Sequence, residues 1–418
     1  MDNRFKLEGK VNDMLQLSSE KKRLLLLMIL LLSVSQACTD IYVAALPQMT
    51  REFHTTLAKT NLTITVYTYA QAFFFLFIGV ISDIFGRRPV LICCILVQIC
   101  ASFLIALSDS LWLMIIFRVF QALGSGAIYI VLRLIIKDVM EREEQIYAVG
   151  MLLIAMVVSP ALAPVIGAWI IHFLSWRACF DGLGMALAIL LLWFFLTVKE
   201  SNSNLAKIRS NFSIIRHVLN YVEVFTDRVY FSLMLVVGGT FASYFGFIAL
   251  SSYMYIDEFK VSPLWYSYSY FGLALAFLLG NRIMLWLNNA GISAWSLIQK
   301  GVILSWCGLV IMGVGLFLPH YGVLVLVSLG LFMVRLATAL INPPVQVLVT
   351  LHFDEKGAHA LGLLSCMQYV FAGMGAALVA ALPYHPSLSL VMSSIFFTLV
   401  SALGYWAAPN IRKISQAT

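Results

Sequence analysis

The sequence predicts an all-α membrane protein with twelve transmembrane helices in two six-helix bundles, and three observations carry that prediction. Hydrophobic residues make up 61% of the chain and charged residues 11%, with a mean hydropathy of +0.92, outside the range of water-soluble globular chains. Apolar windows of about twenty residues, long enough to cross a hydrocarbon core, recur along the whole chain. One long polar segment, residues 199–227, divides them six and six.

Residues 1–23 form a mixed, charged N-terminal segment that ends in Lys21, Lys22 and Arg23. Basic residues before a leucine run also describe a signal peptide, and SQAC ending at Cys38 has the outline of a lipoprotein cleavage box. Gln36 is a poor residue there and the apolar character continues to Pro47, so the stretch is expected to be an uncleaved anchor. The first bundle, 24–198, holds spans at 24–46, 60–82, 89–108, 111–136, 146–171 and 178–198. The second, 228–409, holds spans at 228–252, 264–287, 297–318, 322–345, 358–382 and 387–409, followed by a tail at 410–418.

The linker carries Lys199, Lys207, Arg209 and Arg216, with Arg228 at its end, and the tail carries Arg412 and Lys413. Short loops rich in Lys and Arg stay in the cytoplasm, so both termini and the linker are expected there, in the inner (plasma) membrane of a bacterial-type cell. Loops on the other side are poorer in cations, with Arg51, Lys59, Arg177 and Lys260. The net charge of +7 and pI near 9.0 follow from this topology and from anionic lipid headgroups, and no nucleic-acid partner is expected.

Cys38, Cys93, Cys94, Cys100, Cys179, Cys307 and Cys366 lie in or beside apolar spans without metal spacing, and read as buried fillers. No metal and no cofactor beyond a proton gradient is expected. His172, His320, His352, His359 and His385 fall at span ends or in loops, and no nucleophile–base pairing or phosphate loop is present, so an enzyme is not expected.

Between the second and third spans stands GVISDIFGRRPVL, Gly79 to Leu91, a short charged hairpin turn. Gly79 and Gly86 allow close approach or positive φ, Pro89 begins the next helix where an amide is dispensable, and Asp83 lies four residues before Arg87. A basic loop that only sets topology would satisfy much of this. The stretch also resembles, position by position, the loop 2/3 signature of the major facilitator superfamily, GxLaDrxGrkxxl. Gly79, Asp83, Gly86, Arg87 and Leu91 match it, Ser82 and Arg88 are conservative, and Ile84 stands where Arg is usual. That family's architecture of two halves puts the substrate site near the bilayer midplane between them. The resemblance further implies a latch for the outward-facing state, with Asp138 at the cytoplasmic end of span four meeting Arg87 or Arg88.

An ionised group at bilayer depth costs about 2.5–3.5 kcal/mol even on a lenient scale, so Asp40 in span one needs a partner or a task. Arg118 in span four and Asp40 are each seven residues from the expected outer helix ends, Leu111 and Pro47, roughly 10 Å down at about 1.5 Å per residue. The equal depth predicts a direct or water-bridged pair. Burial and a neighbouring arginine act in opposite senses on a carboxyl group, so Asp40 could carry a proton with Arg118 as its modulator. A permanent salt bridge that only fixes packing is the other reading.

TDIYVAALPQM, Thr39 to Met49, resembles the first-helix signature of twelve-helix drug:proton antiporters, closest to the bicyclomycin and chloramphenicol resistance subfamily. The resemblance implies proton coupling at Asp40. RVFQALGSG, Arg118 to Gly126, is similar to the fourth-helix signature, whose Arg is tied to proton transfer, and includes Gln121, Gly124 and Gly126. SPALAPVIGA, Ser159 to Ala168, resembles the antiporter signature gxxxGPxxGG with Pro164 and Gly167 kept and Ser159, Ala163 and Ala168 at usual glycines. Pro160 and Pro164 predict a bend in span five, either an antiport device or an ordinary proline kink.

In the second half, Arg335 lies mid-span before Asn342, Pro343 and Pro344, with no in-span acid of that half to balance it. It meets either an anionic part of a substrate or backbone carbonyls at the proline break. Tyr244, Phe245 and Phe247, with Tyr67, Tyr69, Gln71 and Phe73, are candidates to line a cavity, as is Gln121. The expected function is proton-coupled efflux of small amphipathic or drug-like molecules by a monomer that meets only substrate, protons and lipid. The alternatives are a dedicated proton-coupled carrier for one metabolite or siderophore and, from another class, a receptor or scaffold without transport.

Overall fold

The structure is a computed structural model that describes residues 17–202, 214–353 and 356–408. Residues 1–16, Lys207 and Arg209 of the linker, and the tail with Arg412 and Lys413 lie outside the described residues. Twelve of the described helical stretches are long and apolar enough to cross a membrane, and they fall on the twelve expected windows.

The first span is not one helix. It comprises α1 (Ser19–Asp40), a 3-10 turn over Val43–Ala45 and α2 (Leu46–Glu52). It is followed by α3 (Leu57–Phe85), α4 (Arg87–Ala106), α5 (Leu111–Val139), α6 (Arg142–Phe173) and α7 (Trp176–Thr197). A short helix, α8 (Ile214–Thr226), lies in the linker. The second bundle comprises α9 (Arg228–Ser252), which runs into a π-turn over Tyr253–Glu258, then α10 (Pro263–Asn289), α11 (Ala294–Gly315), α12 (His320–Phe353), α13 (Gly357–Ala381) and α14 (Pro386–Ala407).

Local chemistry sets these boundaries. Side chains of Ser18, Thr56, Ser175, Asp227, Ser262 and Ser293 accept the orphan amides of the helices they precede. Pro263 and Pro386 sit in first turns, where the missing N–H is no loss. Gly86 takes φ +101° between α3 and α4, a conformation that an L side chain rarely adopts, and so folds the chain back sharply. Lys21 bonds Glu144 at 2.7 Å, fastening α1 to the start of α6. The ammonium, together with the Glu141 amide, holds the Glu144 carboxyl below the usual carboxylate range.

Each bundle has its own apolar cluster, the first around Leu31, Ile95, Val131 and Leu187, the second around Val237, Ile298, Ile341 and Phe397. A third cluster is shared, with Tyr42, Val43 and Phe180 meeting Phe247, Tyr253 and Tyr270. On the flanks of the interface α3 packs on α13, and α6 on α10. In lipid the apolar surface of a helix gains little by leaving its surroundings, so fit and polar bonds decide these contacts. At the end opposite the α3–α4 turn, here the far end, the bundles touch: Arg51 pairs with Asp257 at 3.0 Å and Thr50 Oγ1 meets the Tyr253 hydroxyl at 2.7 Å. The end with the turn and linker is the basic end.

Candidate functional site

The site grows out of the break in the first span. α1 stops at Asp40, and ahead of Pro47, which has no N–H to give, the Val43 carbonyl takes the Leu46 amide in a 3-10 turn. Broken backbone at membrane depth requires substitute partners. Arg118 on α5 supplies one: Nη1 donates to the Cys38 carbonyl at 2.8 Å, and the same guanidinium donates to Gln121 Oε1 at 2.6 Å, from Nε to the Thr63 carbonyl at 3.2 Å and from Nη2 to the Tyr42 hydroxyl at 3.2 Å. A cation at the C-terminal end of α1 also meets the negative end of its dipole. The rings of Tyr67 and Tyr42 cover the guanidinium, with centres 4.1 and 4.8 Å away. Gln121 passes the network on by donating to Ser102 Oγ at 2.8 Å.

The direct form of the expected Asp40–Arg118 pair is not made. Asp40 is not among the acceptors of Arg118, and among the described residues no cation lies within 4.0 Å of its carboxylate. The reason is helical geometry. Arg118 reaches the Cys38 carbonyl and, beyond the break, the Tyr42 hydroxyl, while the Asp40 side chain, two residues on from Cys38 in α1, is rotated by about 200° from that of Cys38. Gln121 is likewise corrected: fully buried and bonded at both ends of its amide, it belongs to the Arg118 network and does not line a cavity.

Asp40 looks instead toward the second bundle. It is 3% exposed, and its Oδ1 has no hydrogen-bond partner. Arg335 on α12 lies within electrostatic range of it from the other bundle. The hydroxyls of Tyr244, Tyr266, Tyr270 and Tyr369 lie within electrostatic range of the same carboxylate. Arg335 itself is clamped between rings, its guanidinium carbon 3.7 Å from the centre of Tyr244 and 4.6 Å from that of Phe277. Its Nε is buried without an acceptor. Tyr369 carries the aromatic wall across the interface, 5.0 Å from Phe75 and 6.0 Å from Phe245 between ring centres.

The structure therefore brings together Asp40, Arg335 and Tyr244 and sets Arg118 and Gln121 behind them. Sequence reasoning missed Phe277, Tyr270 and Tyr369, because nothing in a run of apolar residues separates a ring that faces a cleft from one that faces lipid.

Pro160 and Pro164 sit inside α6, which stays a single helix through both. The interruption is in its neighbour. A Cβ on Gly167 would stand 1.7 Å from the Ile41 carbonyl oxygen, so α6 passes hard against the break that follows Asp40. Ser159 Oγ adds a bond to the Ser33 carbonyl at 2.7 Å.

At the basic end, Arg87 and not Arg88 meets Asp138, at 3.2 Å, and Arg87 also pairs with Asp83 and donates to Ser82 Oγ at 2.7 Å. Arg88 turns to the Phe195 carbonyl, 2.9 Å away. Glu200, just past α7, accepts from the amides of Arg87 and Arg88, both at 3.0 Å, and so caps α4. Ser201 donates to Asp138 at 3.2 Å. A Cβ on Gly79 would meet only ordinary contact, 3.9 Å from Ile130, so no close approach requires glycine there. All these contacts join α3, α4, α5, α7 and the chain after it, so the residues of the expected latch are tied together within the first bundle and its attached linker.

No group of three or more His, Cys, Asp or Glu residues able to hold a metal is found among the described residues. The profile of the Major Facilitator Superfamily matches residues 27–376. The chain belongs to this superfamily. An uncharacterized transporter from Rickettsia felis is 25% identical over 68% of this chain and 70% of its own length. Multidrug resistance protein D of Escherichia coli is 31% identical over 38% of this chain and 40% of its own, and a chloramphenicol resistance protein of Pseudomonas aeruginosa 35% identical over 37% and 38%. The chain thus aligns with well under half the length of these two resistance proteins. Among solved structures, a bacterial homolog of the human lysosomal transporter Spinster superposes with a TM-score of 0.77 at 14% identity, covering 95% of this chain and 98% of that one. A D-xylose-proton symporter gives 0.71 at 15%, covering 94% and 99%. These likenesses carry the superfamily fold, and the protein is a multi-pass membrane transporter and not an enzyme.

Proposed function

We propose that this transporter exports small amphipathic molecules in exchange for protons, across the inner membrane, with its basic end in the cytoplasm. The observation that carries the reading is Asp40, a buried carboxyl with an unpartnered oxygen at the interface between bundles. Such a group is retained at depth only if something uses it. A proton or a substrate donor can occupy that oxygen, and their competition for one site couples the two movements. The resistance proteins of Escherichia coli and Pseudomonas aeruginosa, similar over part of the chain, support drug-like substrates.

In the cycle, substrate entering from the basic end takes the place of the proton on Asp40. The bundles rock, the contacts of Arg51 with Asp257 part, substrate leaves, and a proton enters from outside. Each charge crossing 100 mV supplies about 2.3 kcal/mol and a tenfold proton gradient about 1.4, enough for uphill export. Arg118 keeps its bonds to α1 throughout, and Arg335, on the other bundle, is the charge whose distance from Asp40 changes. The protein works as a monomer and needs no cofactor.

The test is proton movement in liposomes with a lumenal pH dye, wild type against Asp40→Asn, over cationic, neutral, anionic and zwitterionic amphiphiles. Several unrelated compounds should move protons through wild type and none through the variant. Full coupled transport by Asp40→Asn sinks the reading. A single active compound would leave a dedicated carrier, the reading that the unsatisfied Nε of Arg335 favours.

A further inference from the structure

We infer that the cleft selects bipolar molecules, an aromatic or apolar body bearing an ammonium and a carboxylate on neighbouring atoms, with the ammonium on Asp40 and the carboxylate on Arg335. The inference rests on the reading of this interface as the transport site.

The two groups are left unsatisfied in complementary ways. Asp40 Oδ1 is an acceptor without a donor, and Arg335 Nε a donor without an acceptor. A buried polar atom in that state is costly, and the cost is recovered by whatever supplies its partner. The carboxylate and guanidinium sense each other across the interface yet do not approach within 4.0 Å, so neither answers the other's need directly. A head group with both charges would answer both needs at once, one pole on each bundle.

Charge balance points the same way. With Asp40 ionised, the pair sums to zero, and a zwitterion keeps it so. A simple cation satisfies Asp40 and leaves Arg335 without an acceptor, and a simple anion does the reverse. Nor do the aromatic faces nearest Arg335 favour a bare cation, because Tyr244 and Phe277 already hold its guanidinium. Protonation of Asp40 removes only the ammonium's partner. The proton then competes with one pole of the substrate while the other stays held, which is the exchange that antiport needs.

Purified protein would be titrated with three probes that share one fluorophore: Nε-dansyl-lysine (zwitterion), its methyl ester (cation) and its Nα-acetyl derivative (anion). Wild type should bind the zwitterion about tenfold tighter than either of the others, the scale of one charge-assisted bond. Arg335→Gln should bring the zwitterion and the ester to equal affinity, and Asp40→Asn the zwitterion and the acetyl derivative. If Arg335→Gln fails to give a monodisperse peak, Arg335→Lys keeps the charge and should keep the preference at lower affinity. Equal affinities in wild type, no binding of any probe, or an undiminished preference in Arg335→Gln overturns the inference. The liposome assay run in parallel separates the two claims. Proton movement with simple cations and no zwitterion preference removes the inference alone; no proton movement with any compound removes the antiport reading.

Discussion

At the scale of single residues, the positions that matter are those with no room or no partner. Gly167 is the clearest of the first kind, because any side chain there collides with the Ile41 carbonyl next to Asp40. Gly167→Ala must push α6 away from the break, and overpacking of this kind costs about 1–3 kcal/mol. The expected result is a lower melting temperature in a thermal-shift assay together with lost transport, while Gly150→Ala, in open space on the same helix, changes neither. Asp40 and Arg335 are of the second kind. Their individual importance was legible in the sequence, because a charge inside an apolar span announces itself. Their facing one another was not, because nearly three hundred positions separate them in the chain and only the folding of one bundle onto the other brings them close.

At the scale of elements, hydropathy gave the spans, since the lipid core imposes a length that apolar runs must meet. It could not give the interruption in the first span. Pro47 was the signal, and it reads equally well as the end of a helix or as the start of another; the stretch to Glu52 shows that it starts one. That misplaced end also shaped the expectation for Arg118, whose fork serves the carbonyl of Cys38 and leaves the carboxyl of Asp40 alone. The turn from Gly79 to Leu91 was legible down to the pairing of Arg87 with Asp138, one of two options left open. The cap from Glu200 was not, because a polar residue after a span has no pattern that marks its target. Glu200→Ala should weaken the N-terminus of α4 by about 0.3–1 kcal/mol and free the linker. Faster hydrogen exchange at the amides of Arg87 and Arg88 is the measurement, and unchanged exchange would show the cap to be idle.

At the scale of the whole molecule, the far end is closed among the described residues by few bonds, the Arg51–Asp257 pair and those of the Tyr253 hydroxyl with Thr50 and the Leu46 carbonyl. An exposed ion pair of this sort is worth no more than about 1 kcal/mol, so it can part in every cycle. Cysteines at Arg51 and Asp257 joined by a short bis-methanethiosulfonate reagent should stop transport until reduction restores it. The exposed Cys93, Cys100 and Cys307 would first be changed to serine. Undiminished transport by the joined protein would mean that the far end need not open. The break after Asp40 bears on ancestry as well as on the cycle. The acid and the arginine that seats it belong to one bundle, and the arginine that answers it belongs to the other. Grafting a relative's second bundle onto the first bundle of this chain would therefore preserve the proposed proton site and exchange its counterpart, so that duplication and divergence of one half alone could change what is carried without rebuilding the half that holds Asp40.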